Sequence, residues 1–224
     1  MNWTRTICAV TAAVLTFGTV SCGQAEPEPL YPDYTNPEEA AAIREDMKYI
    51  IHAAGRLTGV DTSGNERTYD GSNSLEGLTQ CADAGCEVIE IDFNFTSDGY
   101  LACIHDWYTE YADEITNNVP LTLDEFLECK IYRNFTPVWL GDIVDFLREN
   151  EGTYIVTDIK DDNLAGAAAI AEFAPDLKNR FIVQIYDESE YDAVRELGFE
   201  YIVYTLYRLD WGPKVDWKAL GEFS

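Results

Sequence analysis

Val88-Ile89-Glu90-Ile91-Asp92-Phe93 decides how this chain is read. Its apolar residues are mostly β-branched or aromatic, as in a strand buried on both faces. Two acids interrupt it, two positions apart. Side chains alternate along a strand, so Glu90 and Asp92 share one face. Paired carboxylates in so apolar a strand are costly unless something positive sits between them. A hard divalent cation, Mg2+ or Ca2+, is the natural partner, because both ions take oxygen ligands.

Outward from this strand, short apolar runs alternate with helical stretches. The runs cover 49–53, 87–95, 100–105, Tyr154–Ile159, Phe181–Ile185 and 201–206. Helix signals cover 37–48, 73–84 (closed by Gly85), 122–129, 136–149, 161–173 and 187–197 (closed by Gly198). Ser97-Asp98-Gly99 reads as a tight turn between the second and third strands. Repeated strand–helix units with buried strands predict an α/β fold with a parallel sheet. The expected architecture is a TIM-type (β/α)8 barrel, incomplete, with six of its eight units in this chain. A doubly wound sheet ranks second, because no Gly-x-Gly-x-x-Gly follows the first strand.

Barrel active sites lie at the C-terminal ends of strands. Read in order, those ends carry His52, then Glu90 and Asp92, then His105-Asp106, then Asp158-Ile159-Lys160. Asp158 is the expected third carboxylate around one cation. His52 and His105 are the only histidines in the chain, and both fall at this predicted rim. Two imidazoles beside a metal-held anion suit acid–base chemistry near neutral pH. Gln184, at the end of the fifth run, and Trp107, just beyond His105-Asp106, are candidate substrate contacts. The stretch 136–149 reads as a core-facing helix, and the acids of 110–114 as a solvated loop.

Charge narrows the function classes. The 224 residues carry 15 Lys+Arg against 41 Asp+Glu, a net charge of −26. That balance excludes nucleic acid as the expected partner, since polyanions reward positive charge. The N-terminus adds an address. Residues 7–20 form an uncharged apolar run behind Arg5, too short to span a bilayer comfortably but suited to a signal-peptide core. Residues 1–25 are read as this signal and 26–36 as an acidic tether, with the barrel domain over 37–224. Thr19-Val20-Ser21-Cys22 resembles a lipoprotein cleavage box, which makes lipidated Cys22 a membrane tether and the protein an envelope lipoprotein. Cleavage after Ala25 is the rival reading, and leaves a secreted or periplasmic protein. Cys81, Cys86, Cys103 and Cys129 then allow three disulfide pairings, among which the sequence does not choose.

The order of these motifs resembles the glycerophosphodiester phosphodiesterase family, over about residues 49–208. That family carries His-Arg-Gly, Glu-Asn-Thr, Glu-x-Asp, His-Asp and Glu-x-Lys. His52 and His105 fall on its two catalytic histidines, and Glu90, Asp92 and Asp158 on its metal ligands. Asn73 and Lys160 fall on its Asn-Thr and Lys positions, as substrate-binding residues. Ala53 stands in place of the phosphate-holding Arg, Ser72 in place of the Glu before Asn73, and Asp158 in place of Glu. Loss of the Arg removes a bidentate phosphate clamp, for which Lys160 or Arg56 is the expected substitute. The resemblance implies a metal-dependent phosphodiester hydrolase or lyase. It would act on small glycerophosphodiesters or phospholipid-derived substrates, by attack of a neighbouring substrate hydroxyl to give a cyclic phosphate. The departures are similar to the related sphingomyelinase D-like phospholipases, which gives one alternative. A non-catalytic metal-binding surface lipoprotein, or a truncated inactive remnant, is the other.

Overall fold

The computed structural model describes residues 49–205. The readings of the signal segment, the tether and the helix over 37–48 fall outside the described residues. Among the described residues no helix is long and apolar enough to cross a membrane.

The described residues begin with β1 (Ile50–Ile51) and a hairpin of β2 (Arg56–Val60) and β3 (Glu66–Asp70). Helix α1 (Leu75–Asp83) follows, then β4 (Val88–Phe95) and β5 (Leu101–Ala102). Two helices come next, α2 (Leu123–Glu128) and α3 (Leu140–Glu149). The end of the described chain alternates regularly: β6 (Tyr154–Ile159), α4 (Asn163–Phe173), β7 (Phe181–Ile185), α5 (Glu190–Glu196) and β8 (Tyr201–Tyr204).

Strands β1, β4, β6, β7 and β8 pair in parallel and in chain order. Chain order is the signature of a (β/α) barrel, whereas a doubly wound sheet reverses its order at a switch point. The fold is therefore a partial TIM-like α/β barrel, and the second-ranked architecture is excluded. The third expected strand is corrected. Only Leu101–Ala102 is extended, and it pairs antiparallel to Asn94 and Phe95 of β4. The Ser97-Asp98-Gly99 turn makes this unavoidable, because parallel neighbours need a crossover of a dozen or more residues. Five parallel strands, not six, stand among the described residues.

Two other boundaries move for physical reasons. The helix expected from 136 starts at Leu140, because Pro137 bridges to Ser74 and Trp139 to Ala102 in extended conformation. The hairpin over Arg56–Asp70 was not expected, since its strands are largely exposed and lack an apolar stripe.

The main core lies between the sheet and its helices. Ile89, Ile91 and Phe93 of β4 point away from Glu90 and Asp92, and meet Leu78, Ile143, Leu147, Ile155 and Phe181. The expected core-facing role of α3 holds: Ile143, Val144 and Leu147 are buried on one side of it. A second cluster, with Ile104, Trp107, Ile115, Phe126 and Ile131, packs the long excursion between β5 and α3. Cys81, Cys86, Cys103 and Cys129 are free thiols.

Candidate active site

Alternation along β4 sends Ile89, Ile91 and Phe93 into the core and leaves Glu90 and Asp92 on the opposite face. The β4–β6 register then sets Asp158 directly beside Asp92. One oxygen from each of Glu90, Asp92 and Asp158 lies within 4.8 Å of the others. Glu90 and Asp92 are buried, and the Asp158 side chain is 14% exposed.

Around this cluster nearly every oxygen has a partner. Asn73 Nδ2 donates to Asp92 Oδ2 (2.8 Å), and the Asp92 N–H donates to Asn73 Oδ1 (3.1 Å). The Ala53 N–H donates to Glu90 Oε2 (2.7 Å). Lys160 Nζ lies 2.7 Å from Asp92 Oδ1 and 2.8 Å from Asp158 Oδ2. The Tyr186 hydroxyl donates to Asp158 Oδ1, and Gln184 Nε2 donates to that hydroxyl (3.1 Å). Glu90 Oε1 is buried with no hydrogen-bond partner.

The backbone is bent to make these contacts. Ala53 (φ 45°), Ala54 (φ 57°) and Asn73 (φ 44°) all occupy the left-handed region, which costs a non-glycine residue of order 1 kcal/mol. The bend turns the Ala53 N–H toward Glu90, while Ala53 O accepts from the Asn73 N–H. Ser74 caps α1 by accepting from the Gly77 N–H. Gly77 permits the close approach: a Cβ there would lie 2.7 Å from Ala54 O.

Three carboxylates against one ammonium leave a formal charge of −2, one divalent cation's worth. The protein feels this deficit at Glu90. Burial first, and then the charge of Asp92, push its pKa up to about 8, against the opposing Ala53 N–H. For Lys160, burial opposes the ammonium, but Asp92 and Asp158 outweigh it and hold the pKa above the ordinary value. An orphaned buried oxygen beside two further carboxylates fits a hard divalent cation, for which Glu90, Asp92 and Asp158 supply the ligands.

The histidines are placed differently. His52 Nε2 stands 4.0 Å from Glu90 Oε2, with 76% of its side chain exposed. His105 Nδ1 is hydrogen-bonded to Asp106 Oδ2, and its carbonyl accepts from Asn94 Nδ2 at the end of β4 (3.3 Å). A carboxylate oxygen accepts in such a pair, so Nδ1 is the donor of this bond.

Several expected substrate contacts have other tasks. Asn73 is a clamp on Asp92. Trp107 is a core residue: its indole donates to Phe95 O (3.1 Å) and packs edge-on against Phe126. Gln184 reaches the cluster only through Tyr186. Arg56 pairs with Asp70 on the hairpin. Two residues of the site were not foreseen. They are Asp106, which pairs with His105 Nδ1, and Tyr186, which donates to Asp158. Alternation along β7, carried one residue beyond its end, puts Tyr186 on the side of Gln184.

No curated protein matches the chain. Its fold does match solved structures. A phosphodiesterase from Oleispira antarctica, solved with its product sn-glycerol-3-phosphate, is 16% identical with a TM-score of 0.55, over 77% of this chain and 70% of that one. A glycerophosphodiester phosphodiesterase from Parabacteroides distasonis is 16% identical with a TM-score of 0.51, over 78% and 69%. An Agrobacterium tumefaciens structure is 17% identical with a TM-score of 0.51 over 69% of this chain, which spans only 62% of its length. These likenesses support the barrel. The sequence itself matches the model of the glycerophosphoryl diester phosphodiesterase family over residues 62–206, a span that holds Asn73, Glu90, Asp92, His105, Asp158 and Lys160. With a match over more than half its length, the chain belongs to the glycerophosphoryl diester phosphodiesterase family.

Proposed function

We propose that this protein cleaves small glycerophosphodiesters, with Glu90, Asp92 and Asp158 holding one divalent cation, Mg2+ or Ca2+. The convergence of three carboxylate oxygens within 4.8 Å, one residue having a buried oxygen without a donor, carries this reading. A bound cation would supply charge neutralisation at a phosphate oxygen. The remaining work falls to this chain's own side chains. His105, with Asp106 behind Nδ1, offers Nε2 as general base. It takes the proton of the substrate hydroxyl adjacent to the phosphate. That oxygen bonds to phosphorus while the bond to the departing alcohol breaks. His52, exposed and beside the Glu90 carboxylate, gives its proton to the departing oxygen. The products are a free alcohol and a cyclic phosphate, which water opens.

Lys160 has a double task in this reading. It neutralises Asp92 and Asp158 from one side, and it stands as a cation in direct contact with the site in the absence of the family's Arg at position 53. The glycerol-phosphate product held by the Oleispira enzyme favours a glycerol-based diester here. The N-terminal pattern supports export with Cys22 as the lipid anchor. Loss of metabolic palmitate label in Cys22→Ser tests that part.

The deciding assay measures release of sn-glycerol-3-phosphate, or its cyclic form, from glycerophosphodiesters and lysophospholipids, before and after EDTA and with Mg2+ or Ca2+ restored. Turnover that is lost to EDTA and recovered with the ion supports the proposal. Tight ion binding without turnover of any diester replaces it with the binding-module reading.

A further inference from the structure

Two of the cysteines meet where α1 ends. The helix closes on Gly85, which lies in the left-handed region (φ 68°). The Gly85 N–H donates to Ala82 O (3.0 Å), and the Cys86 N–H reaches back to Cys81 O (2.9 Å). These nested bonds make a Schellman end, a motif that sets the side chain beyond the glycine against one in the last helical turn. Here those side chains belong to Cys86 and Cys81. Their reach can be bounded. The path from Cys86 Cα through its N, across the 2.9 Å bond, and from O to Cα of Cys81 spans at most about 6.8 Å. Disulfides join Cα atoms about 4.4–6.8 Å apart, so the pair stands within bridging distance.

The side chains agree with the backbone. The thiols of Cys81 and Cys86 are hydrogen-bonded to each other, and both pack on the main core. Cys81 is buried, whereas Cys86 is partly exposed. Burial first, and then Cys86, push the Cys81 thiol up to about 12. The other two cysteines sit in different clusters. Cys103 is wholly buried in the main core, where Asp142 and Asp92 oppose its ionisation. Cys129 belongs to the second cluster, and its Sγ donates to Glu125 O (3.3 Å).

We propose that Cys81 and Cys86 form a disulfide that clips the end of α1 to the approach to β4, while Cys103 and Cys129 stay reduced. A small disulfide supplies the oxidant. The more accessible Cys86 thiolate attacks one of its sulfurs and expels a thiolate. Cys81 then gives its proton to solvent, and its sulfur displaces the second thiolate from Cys86. Two protein S–H groups become one S–S bond, and the small disulfide takes up both electrons and leaves as two thiols. The clip joins the segments that shape the carboxylate cluster: α1 follows Asn73, the clamp on Asp92, and β4 carries Glu90 and Asp92. The inference rests neither on the diesterase reading nor on export; export would supply an oxidising compartment in which such a bond persists.

Two measurements on the purified protein test it. In the first, the protein is treated with oxidised glutathione, unfolded, alkylated and cleaved before aspartates. Asp83 separates the two cysteines, so the bridge should link peptide 70–82 to peptide 83–91, with alkyl groups on Cys103 and Cys129. Alkylation of all four cysteines, a glutathione adduct that stays on Cys86, or a bridge to Cys103 or Cys129 overturns the inference. In the second, the thermal unfolding midpoint of oxidised protein should exceed that of reduced protein by about 4–8 °C, as a short closed loop allows. Oxidation should leave the midpoint of Cys86→Ala where it was. A midpoint that oxidation leaves unchanged or lowers in the native protein, or raises equally in the variant, overturns it as well.

Discussion

Replacing Glu90 by Gln removes one ionisable oxygen and nothing else of comparable size. In the metal-free protein the folded chain keeps a proton on Glu90 up to about pH 8, whereas the ordinary carboxyl value is 4.5. Between those two values the folded state binds one proton more than the unfolded state. Stability must then fall as pH rises, by about 1.4 kcal/mol per pH unit, with none of this penalty below pH 4.5 and all of it above pH 8. Glu90→Gln has no such proton to lose. Urea denaturation in EDTA at pH 5, 6, 7 and 8 isolates the effect as a difference of slopes, because other titrating groups cancel between native protein and variant. The native protein should lose about 1 kcal/mol or more per unit relative to the variant. A divalent cation reverses the balance by holding Glu90 ionised. At pH 7 binding should therefore expel about 0.9 proton per ion, measurable by calorimetry in buffers of different ionisation heat. Parallel slopes, together with no proton release, would refute the view that the cluster is short of one positive charge.

Further outcomes follow from the same geometry. His52→Ala and His105→Ala should each lower kcat by about 10²- to 10⁴-fold while leaving ion affinity near the native value; loss of ion binding in either would make that histidine a ligand. Asn73→Ala removes the two-bond clamp on Asp92 and keeps the left-handed backbone without the side chain that tolerates it, so it should cost about 1–3 kcal/mol in denaturation experiments. Asn73→Gly should recover part of that loss, because glycine accepts φ 44° freely. Ile143→Ala, at a fully buried position of α3, should cost about 2–5 kcal/mol without changing ion affinity.

How far the sequence alone reaches depends on which interaction fixes each element. The β4 run was legible because burial on one face and acids on the other impose a strict alternation. The strands β6 and β7 were legible as short apolar runs between helical stretches, and Asp158 needs only the parallel register to meet Asp92. The excursion around His105 was harder. Its short apolar run looks like a strand, but a three-residue turn allows it only to fold back on β4, and the rest is held by the second cluster. Trp107 misled for a related reason: an aromatic beside a catalytic motif has the same letters whether it faces substrate or Phe126. Tyr186 gains meaning only from a neighbour on another strand, Asp158, and no local pattern announces such a contact.

Soaking crystals of the protein in Mn2+, a spectroscopically distinct stand-in for either expected ion, addresses the core of this account directly. The anomalous map should show one strong peak within bonding reach of Glu90, Asp92 and Asp158 together, with Glu90 Oε1 turned onto it. A peak elsewhere, or none at saturating ion with Asp92 and Asp158 still paired to Lys160, would contradict it.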